Sequence, residues 1–147
     1  MKPVYALILM VLAVAACNRT EKSANDMGGA DGIDENKTKE VLDHHWTAFK
    51  ANDLEETMKD YAEESVLITP NATYRGLDEI RNNFVNAFKM FPSDSTTFTL
   101  DKSIVVQDVG YILWKSKTPA FNLTYATDTF IIRDGKIVRQ TYAGVAE

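Results

Sequence analysis

The alternation of apolar and polar residues divides the chain into a helical first part and a strand-rich second part. Val41, Leu42, His45, Trp46, Ala48 and Phe49 recur at helical spacing and predict an amphipathic helix over 35–51, with Asp34 as its N-cap. It ends at Asn52. Asp53 then offers a second N-cap with Glu56 three residues on, a capping box that starts a short helix through Met58 and Tyr61. "SVLIT", 65–69, is a β-favouring run closed by Pro70 and Asn71, and Tyr74-Arg75 is a short extended piece before Gly76. A third helix follows over about 77–90, with Ile80, Phe84, Val85 and Phe88 on one side. After Pro92 come β-type runs at roughly 95–107, 109–118, 121–133 and 136–145, separated by turn signals at Asp108-Gly110, Thr118-Pro119 and Asp134-Gly135. Helices first and hairpin-linked strands afterwards predict an α+β domain: an antiparallel sheet with the helices on one face.

The N-terminal pattern is different. Lys2 precedes an apolar run from Val4 to Ala16, which closes on small residues directly before Cys17. That is the form of a bacterial lipoprotein signal peptide. A run of about 13 apolar residues is too short for a helix that must cross a hydrocarbon core needing roughly 20. Cys17 is the only cysteine, which excludes an intrachain disulfide and predicts lipid attachment at its thiol. The expected organisation is a signal peptide at 1–16, a polar tether at 17–33 with little to bury, and one domain at 34–147. The expected location is the bacterial cell envelope, anchored through lipid and facing the periplasm or exterior.

Charge and motifs narrow the chemistry. The net charge of −5, with no Lys/Arg cluster, argues against nucleic acid or an anionic membrane surface as partner. "MGGADG" is too short and irregular for a phosphate loop, and no strand precedes it, so no cofactor is expected. His44 and His45 point about 100° apart on their helix, and no H-x-x-x-H, H-E-x-x-H or Cys/His cluster exists, so no metal is expected. No serine or cysteine sits in a recognisable nucleophile elbow.

The ordered strings "HHWTAFKANDLEETMKDYAEESVLITPNATYRGLDEIRNNF" and "TDTFIIRDGKIVRQTYAG" resemble the opening and closing segments of SnoaL-like members of the NTF2-like superfamily, and together cover nearly all of 38–145. The resemblance implies a cone: a strongly curved antiparallel sheet wrapped around three N-terminal helices, open at one end to a pocket, and commonly a homodimer through the sheet's outer face. Activity does not follow from such a fold, which hosts isomerases, cyclases, dehydratases and pockets with no demonstrated reaction. Similarity to the ketosteroid isomerases places His45 where they carry an oxyanion-hole tyrosine, and Asp128 where they carry an aspartic acid kept protonated by an apolar site. Their general base falls at Thr69-Pro70, and threonine cannot take that proton, so the steroid isomerase reaction itself is not expected.

The candidate site residues are His45 and Asp128 for catalysis, and His45, Tyr61, Phe84, Trp114, Asp128, Gln140 and Tyr142 for ligand binding. The aromatics among them, with Trp46 and Phe88, suit a small and mainly apolar ligand as well as a core. His45, on the apolar stripe of its helix, would act as a base if a pocket-facing carboxylate fixed its tautomer. Whether Asp128 is that carboxylate depends on strand register. A three-residue loop at Arg133-Asp134-Gly135 pairs Asp128 with Gln140 and sets Asp128, Phe130 and Ile132 on one face with Val138, Gln140 and Tyr142. A two-residue turn at Asp134-Gly135 pairs Asp128 with Thr141, beside Arg139, on a face suited to solvent. The family match favours the first. Three readings stand: a lipid-anchored module binding a small apolar molecule, a proton-transfer enzyme using His45 and Asp128, and a dimeric interaction module whose pocket is filled by its own side chains.

Overall fold

The computed structural model describes residues 32–147. The predicted signal peptide, Cys17 and nearly all of the predicted tether lie outside the described residues.

Helix α1 spans Glu35–Ala51, and the Asp34 side chain accepts from the Asn36 and Lys37 amides. Asn52 stops it in the left-handed conformation, its amide donating back to the Ala48 and Phe49 carbonyls. Asp53 caps α2, Leu54–Lys59, by accepting from the Glu56 amide. The predicted extension of this helix through Tyr61 does not occur. Asp60 closes α2, and Tyr61 opens strand β1, Tyr61–Ile68, so β1 starts four residues earlier than the run "SVLIT" suggested. Strand β2, Thr73–Arg75, turns into α3, Gly76–Met90. Four longer strands follow: β3 Thr97–Val106, β4 Val109–Lys117, β5 Asn122–Arg133 and β6 Lys136–Ala146.

These six strands form one curved, unclosed sheet in the order β2-β1-β6-β5-β4-β3. It is mixed rather than wholly antiparallel, because β1 lies parallel to the last strand, β6. The expectation of an antiparallel sheet came from the hairpins between β3 and β6. It could not include β1, which is separated from them by α3 and inserts at the far side of β6. The first and last strands are thereby neighbours, and residues at the end of α2 come to lie against residues of β6. Ile137 donates its amide to the Asp60 carbonyl at 2.7 Å, and Ser65 Oγ donates to the Ile137 carbonyl at 2.7 Å.

The helices pack on the inner face of the sheet. Leu42, Leu67, Ile80, Phe130 and Ile137 are fully enclosed there, each contributing roughly 2 kcal/mol of burial. Inward-facing Gly110 lets α1 approach β4 closely: a methyl at that position would meet Leu42 Cδ2 at 3.1 Å. Among the described residues, no helix is long and apolar enough to cross a membrane.

The β5–β6 hairpin resolves the register question in a way neither expectation allowed. Its turn is the two-residue one: Arg133 pairs with Lys136, and Asp134 and Gly135 both have positive φ, 50° and 72°, the backbone that two-residue hairpins need. The pairing then shifts, from Ile132 opposite Ile137 to Ile131 opposite Arg139, leaving Val138 as an extra residue. Beyond this bulge Phe130 faces Gln140 and Asp128 faces Tyr142. Ile137 rather than Val138 takes the inner position, and Arg139 points outward to the Glu64 carbonyl at 3.0 Å. The predicted pairing of Asp128 with Gln140 is therefore corrected by two residues, but the two side chains still share the inner face. The two-residue turn does not expel Asp128 from the interior.

Candidate functional site

Inside the cone lies a cavity of about 710 Å³. His45, Trp114, Asp128, Phe130 and Gln140 form its buried end, and Pro70, Asn71, Asn86 and Met90 reach solvent at its rim. Six of the seven residues expected from sequence to bind a ligand line it: His45, Phe84, Trp114, Asp128, Gln140 and Tyr142. Tyr61 does not. It lies behind the wall and joins the polar residues that do.

That joining is continuous. Trp114 Nε1 donates to Asp128 Oδ2 at 2.8 Å, and Gln140 Nε2 donates to Asp128 Oδ1 at 2.8 Å. The Tyr61 hydroxyl donates to Gln140 Oε1 and lies 3.4 Å from His45 Nε2. On its other side, His45 Nδ1 meets Asp60 Oδ2 at 3.2 Å. Asp60 Oδ1 receives His44 Nδ1 at 2.8 Å, and His44 Nε2 reaches Glu56 at 3.3 Å on the surface. A carboxylate only accepts, so with Asp60 ionised both imidazoles donate to it from Nδ1. A neutral His45 ring bonded in this way carries its lone pair on Nε2, on the side of Tyr61.

The carboxylate that orients His45 is thus Asp60, not Asp128. Asp128 is two hydrogen-bonded residues further along, and this corrects the expected His45–Asp128 pair. Nothing in the sequence marked Asp60: it sits between Lys59 and Tyr61 at a helix end, outside any apolar stripe. Its role follows from the parallel placement of β1 against β6, which pins its backbone. The adjacent histidines, too divergent to share a metal comfortably, share one carboxylate instead.

The surroundings of these groups are apolar. Tyr61, Phe84 and Phe130 meet the His45 ring edge-on, with centroids 5.5, 5.7 and 5.4 Å away. Burial pushes the Asp128 carboxyl up from its ordinary value, against the opposing effect of the Trp114 and Gln140 donors and the nearby His45. Burial likewise holds the Tyr61 hydroxyl well above its usual range, reinforced by the charges of Asp128 and Asp60, so it stays protonated. Tyr142 is raised for the same two reasons, burial first and Asp128 second. The hydrogen bond that His44 donates to Asp60 raises His44, and Glu56 adds to it. Among the described residues, no group of three His, Cys, Asp or Glu could hold a metal ion.

The sequence profile of the SnoaL-like domain matches residues 42–140, well over half of the chain. The chain belongs to the SnoaL-like family. No functionally curated protein matches the sequence. Among solved structures, a putative ketosteroid isomerase from Kribbella flavida is similar with a TM-score of 0.65 at 14% identity, over 77% of this chain and 81% of that one. A putative polyketide cyclase from Sinorhizobium meliloti gives 0.61 at 21% identity, over 71% and 94%. An NTF2-like protein of unknown function from Mesorhizobium loti gives 0.64 at 19%, over 76% and 93%. At such identities these likenesses establish the NTF2-like α+β cone, and the chemistry has to be read from this SnoaL-like domain's own residues.

Proposed function

We propose that this SnoaL-like domain binds a small, mainly apolar molecule, which presents a polar group to His45, Gln140 and Asp128. The observation that carries this reading is the cavity of about 710 Å³ over buried polar side chains, which argues against a cone filled by its own residues. The walls are aromatic and aliphatic, while the polar end retains free valences. Gln140 uses one of its two amide hydrogens on Asp128, and His45, which also lines the cavity, has an Nε2 that receives no hydrogen from Tyr61, whose hydroxyl donates to Gln140. The test is a saturable binding isotherm for a neutral naphthalene probe, read by quenching of Trp46 and Trp114, both of which line the cavity. No saturation would sink the reading.

A second reading is proton transfer with His45 as base, in an isomerase, dehydratase or cyclase type of reaction. One observation favours it: Asp60 on Nδ1 fixes the tautomer that leaves Nε2 as acceptor. Asp128 then acts on His45 at a distance rather than as its partner.

We further propose that the mature protein is held at the bacterial envelope by lipid on Cys17, and that the domain pairs through the outer sheet face. Ile104 lies opposite Tyr111, Val109 opposite Ile131, and Tyr125 opposite Val145. Ile104, Tyr125 and Val145 are each about half exposed, and so much contiguous apolar surface suits a second copy of the same face.

A further inference from the structure

The chain of hydrogen bonds between Asp128 and His45 has a direction, and the direction is set by which atoms carry hydrogen. When Asp128 is ionised it can only accept. Gln140 must then present Nε2 to it, as observed at 2.8 Å, which leaves Oε1 facing Tyr61. The single hydroxyl hydrogen of Tyr61 goes to Oε1. His45 Nε2, 3.4 Å from the Tyr61 oxygen, therefore meets oxygen lone pairs rather than a donor. Its own lone pair is uncapped, and a proton arriving there finds the Tyr61 oxygen as acceptor and Asp60 on the other side of the ring.

When Asp128 is neutral the constraint reverses. Its carboxylic hydrogen needs an acceptor on Gln140, so the amide turns over and presents Oε1 to Asp128. Nε2 now donates to the Tyr61 oxygen, and the Tyr61 hydrogen is displaced to the only remaining acceptor, His45 Nε2. The imidazole lone pair is then occupied. No atom moves far between the two arrangements: an amide rotates and a hydroxyl swings. Both arrangements keep Asp128, Gln140 and Tyr61 hydrogen-bonded to one another, as a buried polar network requires, and they differ in whether His45 Nε2 is paired.

We propose that Gln140 and Tyr61 are positioning residues for His45: the orientation of the Gln140 amide, set by the charge on Asp128, decides whether the Tyr61 hydroxyl caps or frees the His45 Nε2 lone pair. This rests on the reading of His45 as the base of the cavity, and it gives the remote Asp128 a defined role there. The titratable groups facing the chain are Asp60 at the end of α2, His44 on α1 with Glu56 on α2, and Tyr142 on β6. The hydrogen-bonded path from Asp128 to His45 runs through Gln140 and Tyr61, without those groups.

Nitrogen-15 spectra of the histidine ring in the unliganded protein test this without any substrate, so a failure to find turnover and a failure of the switch are separate results. Two chemically different substitutions are expected to produce the same signature. In Asp128→Asn the new amide donates to Gln140 and turns the chain over; in Gln140→Leu the Tyr61 hydroxyl loses its other acceptor. Both should move the His45 Nε2 resonance upfield, to a hydrogen-bonded lone pair, relative to wild type at neutral pH. Tyr61→Phe should show no such cap in either background. An unchanged His45 resonance in Asp128→Asn, or shifts of opposite sign in the two variants, would overturn the proposal. Asp128→Asn is close to isosteric and carries the test alone if Gln140→Leu does not give a dispersed spectrum.

Discussion

At the scale of single residues, the site is governed by one buried carboxyl and one buried imidazole that do not touch. Asp128 is 5% exposed and His45 3% exposed. Because burial raises the Asp128 pKa above the ordinary carboxylate value, the folded state holds that proton more tightly than the unfolded chain does. The stability this provides is fully present below the ordinary carboxylate value, and is lost as pH rises through the folded value. Asp128→Asn removes the charge and with it this loss. Chemical denaturation of wild type and variant from pH 4 upward should therefore show the stability difference moving in the variant's favour as pH rises. A difference that is flat with pH would mean that Asp128 is not held up by burial. His45 and Asp128 were legible in the sequence as an imidazole on an apolar stripe and an acid in an apolar strand. Asp60 was not, because its position depends on a contact between chain segments far apart in sequence.

At the scale of elements, the decisive feature is the bulge at Val138. Asp134-Gly135 dictates a two-residue turn, and a regular ladder from that turn would set Arg139 and Thr141, not Gln140 and Tyr142, beside Asp128. The extra residue restores the alternation, so Ile137 and Gln140 both face inward although they are three apart. Deleting Val138 should consequently be tolerated. The remaining ladder pairs Asp128 with Tyr142 without interruption, and the expected cost is about 1–3 kcal/mol, from lost local packing and the altered twist next to β1. Retention of the Trp114 Nε1 hydrogen bond to Asp128, seen as a slowly exchanging indole proton, would check it. Exposure of that proton would show that the bulge has a further function in the hairpin. The starts of α1 and α2 were legible because their caps are local: Asp34 accepts from the amides two and three residues on, and Asp53 from the amide three residues on. The bulge was not, since "KIVRQTY" contains no glycine or proline to mark it. Its cause is a conflict between turn geometry and the burial of Ile137 and Gln140, visible only when both are considered together. The parallel β1–β6 pairing escaped for a related reason, since no turn joins those strands.

At the scale of the whole molecule, the sheet has two unlike faces. The inner one encloses the cavity, and the outer one carries Ile104, Val106, Tyr125 and Val145 in contact with solvent. If two copies meet there, sedimentation velocity on the domain at 34–147 will give a dimer at micromolar concentration. Val145→Glu together with Tyr125→Glu will give a monomer with an unchanged inner cavity. A monomeric wild type at that concentration would remove the outer face from the account. The fold as a whole was readable from the order of elements and the strings that carry the SnoaL-like resemblance. Those same strings say nothing about the ligand, because the polar residues of the floor are chosen individually and the wall is built of ordinary core side chains.

The claim on which the rest depends is that the cavity is a binding site. Ala87 on α3 lines it and is partly buried, and it is not a member of the polar chain from Asp60 to Asp128, so Ala87→Phe narrows the cavity while leaving every residue of that chain in place. Titration of the neutral naphthalene probe against wild type and this variant is the most direct measurement. Saturable one-site quenching of the wild-type tryptophans, weakened at least about tenfold (roughly 1.4 kcal/mol) by Ala87→Phe, is the predicted result. Equal binding by both proteins, or none by wild type, would contradict it.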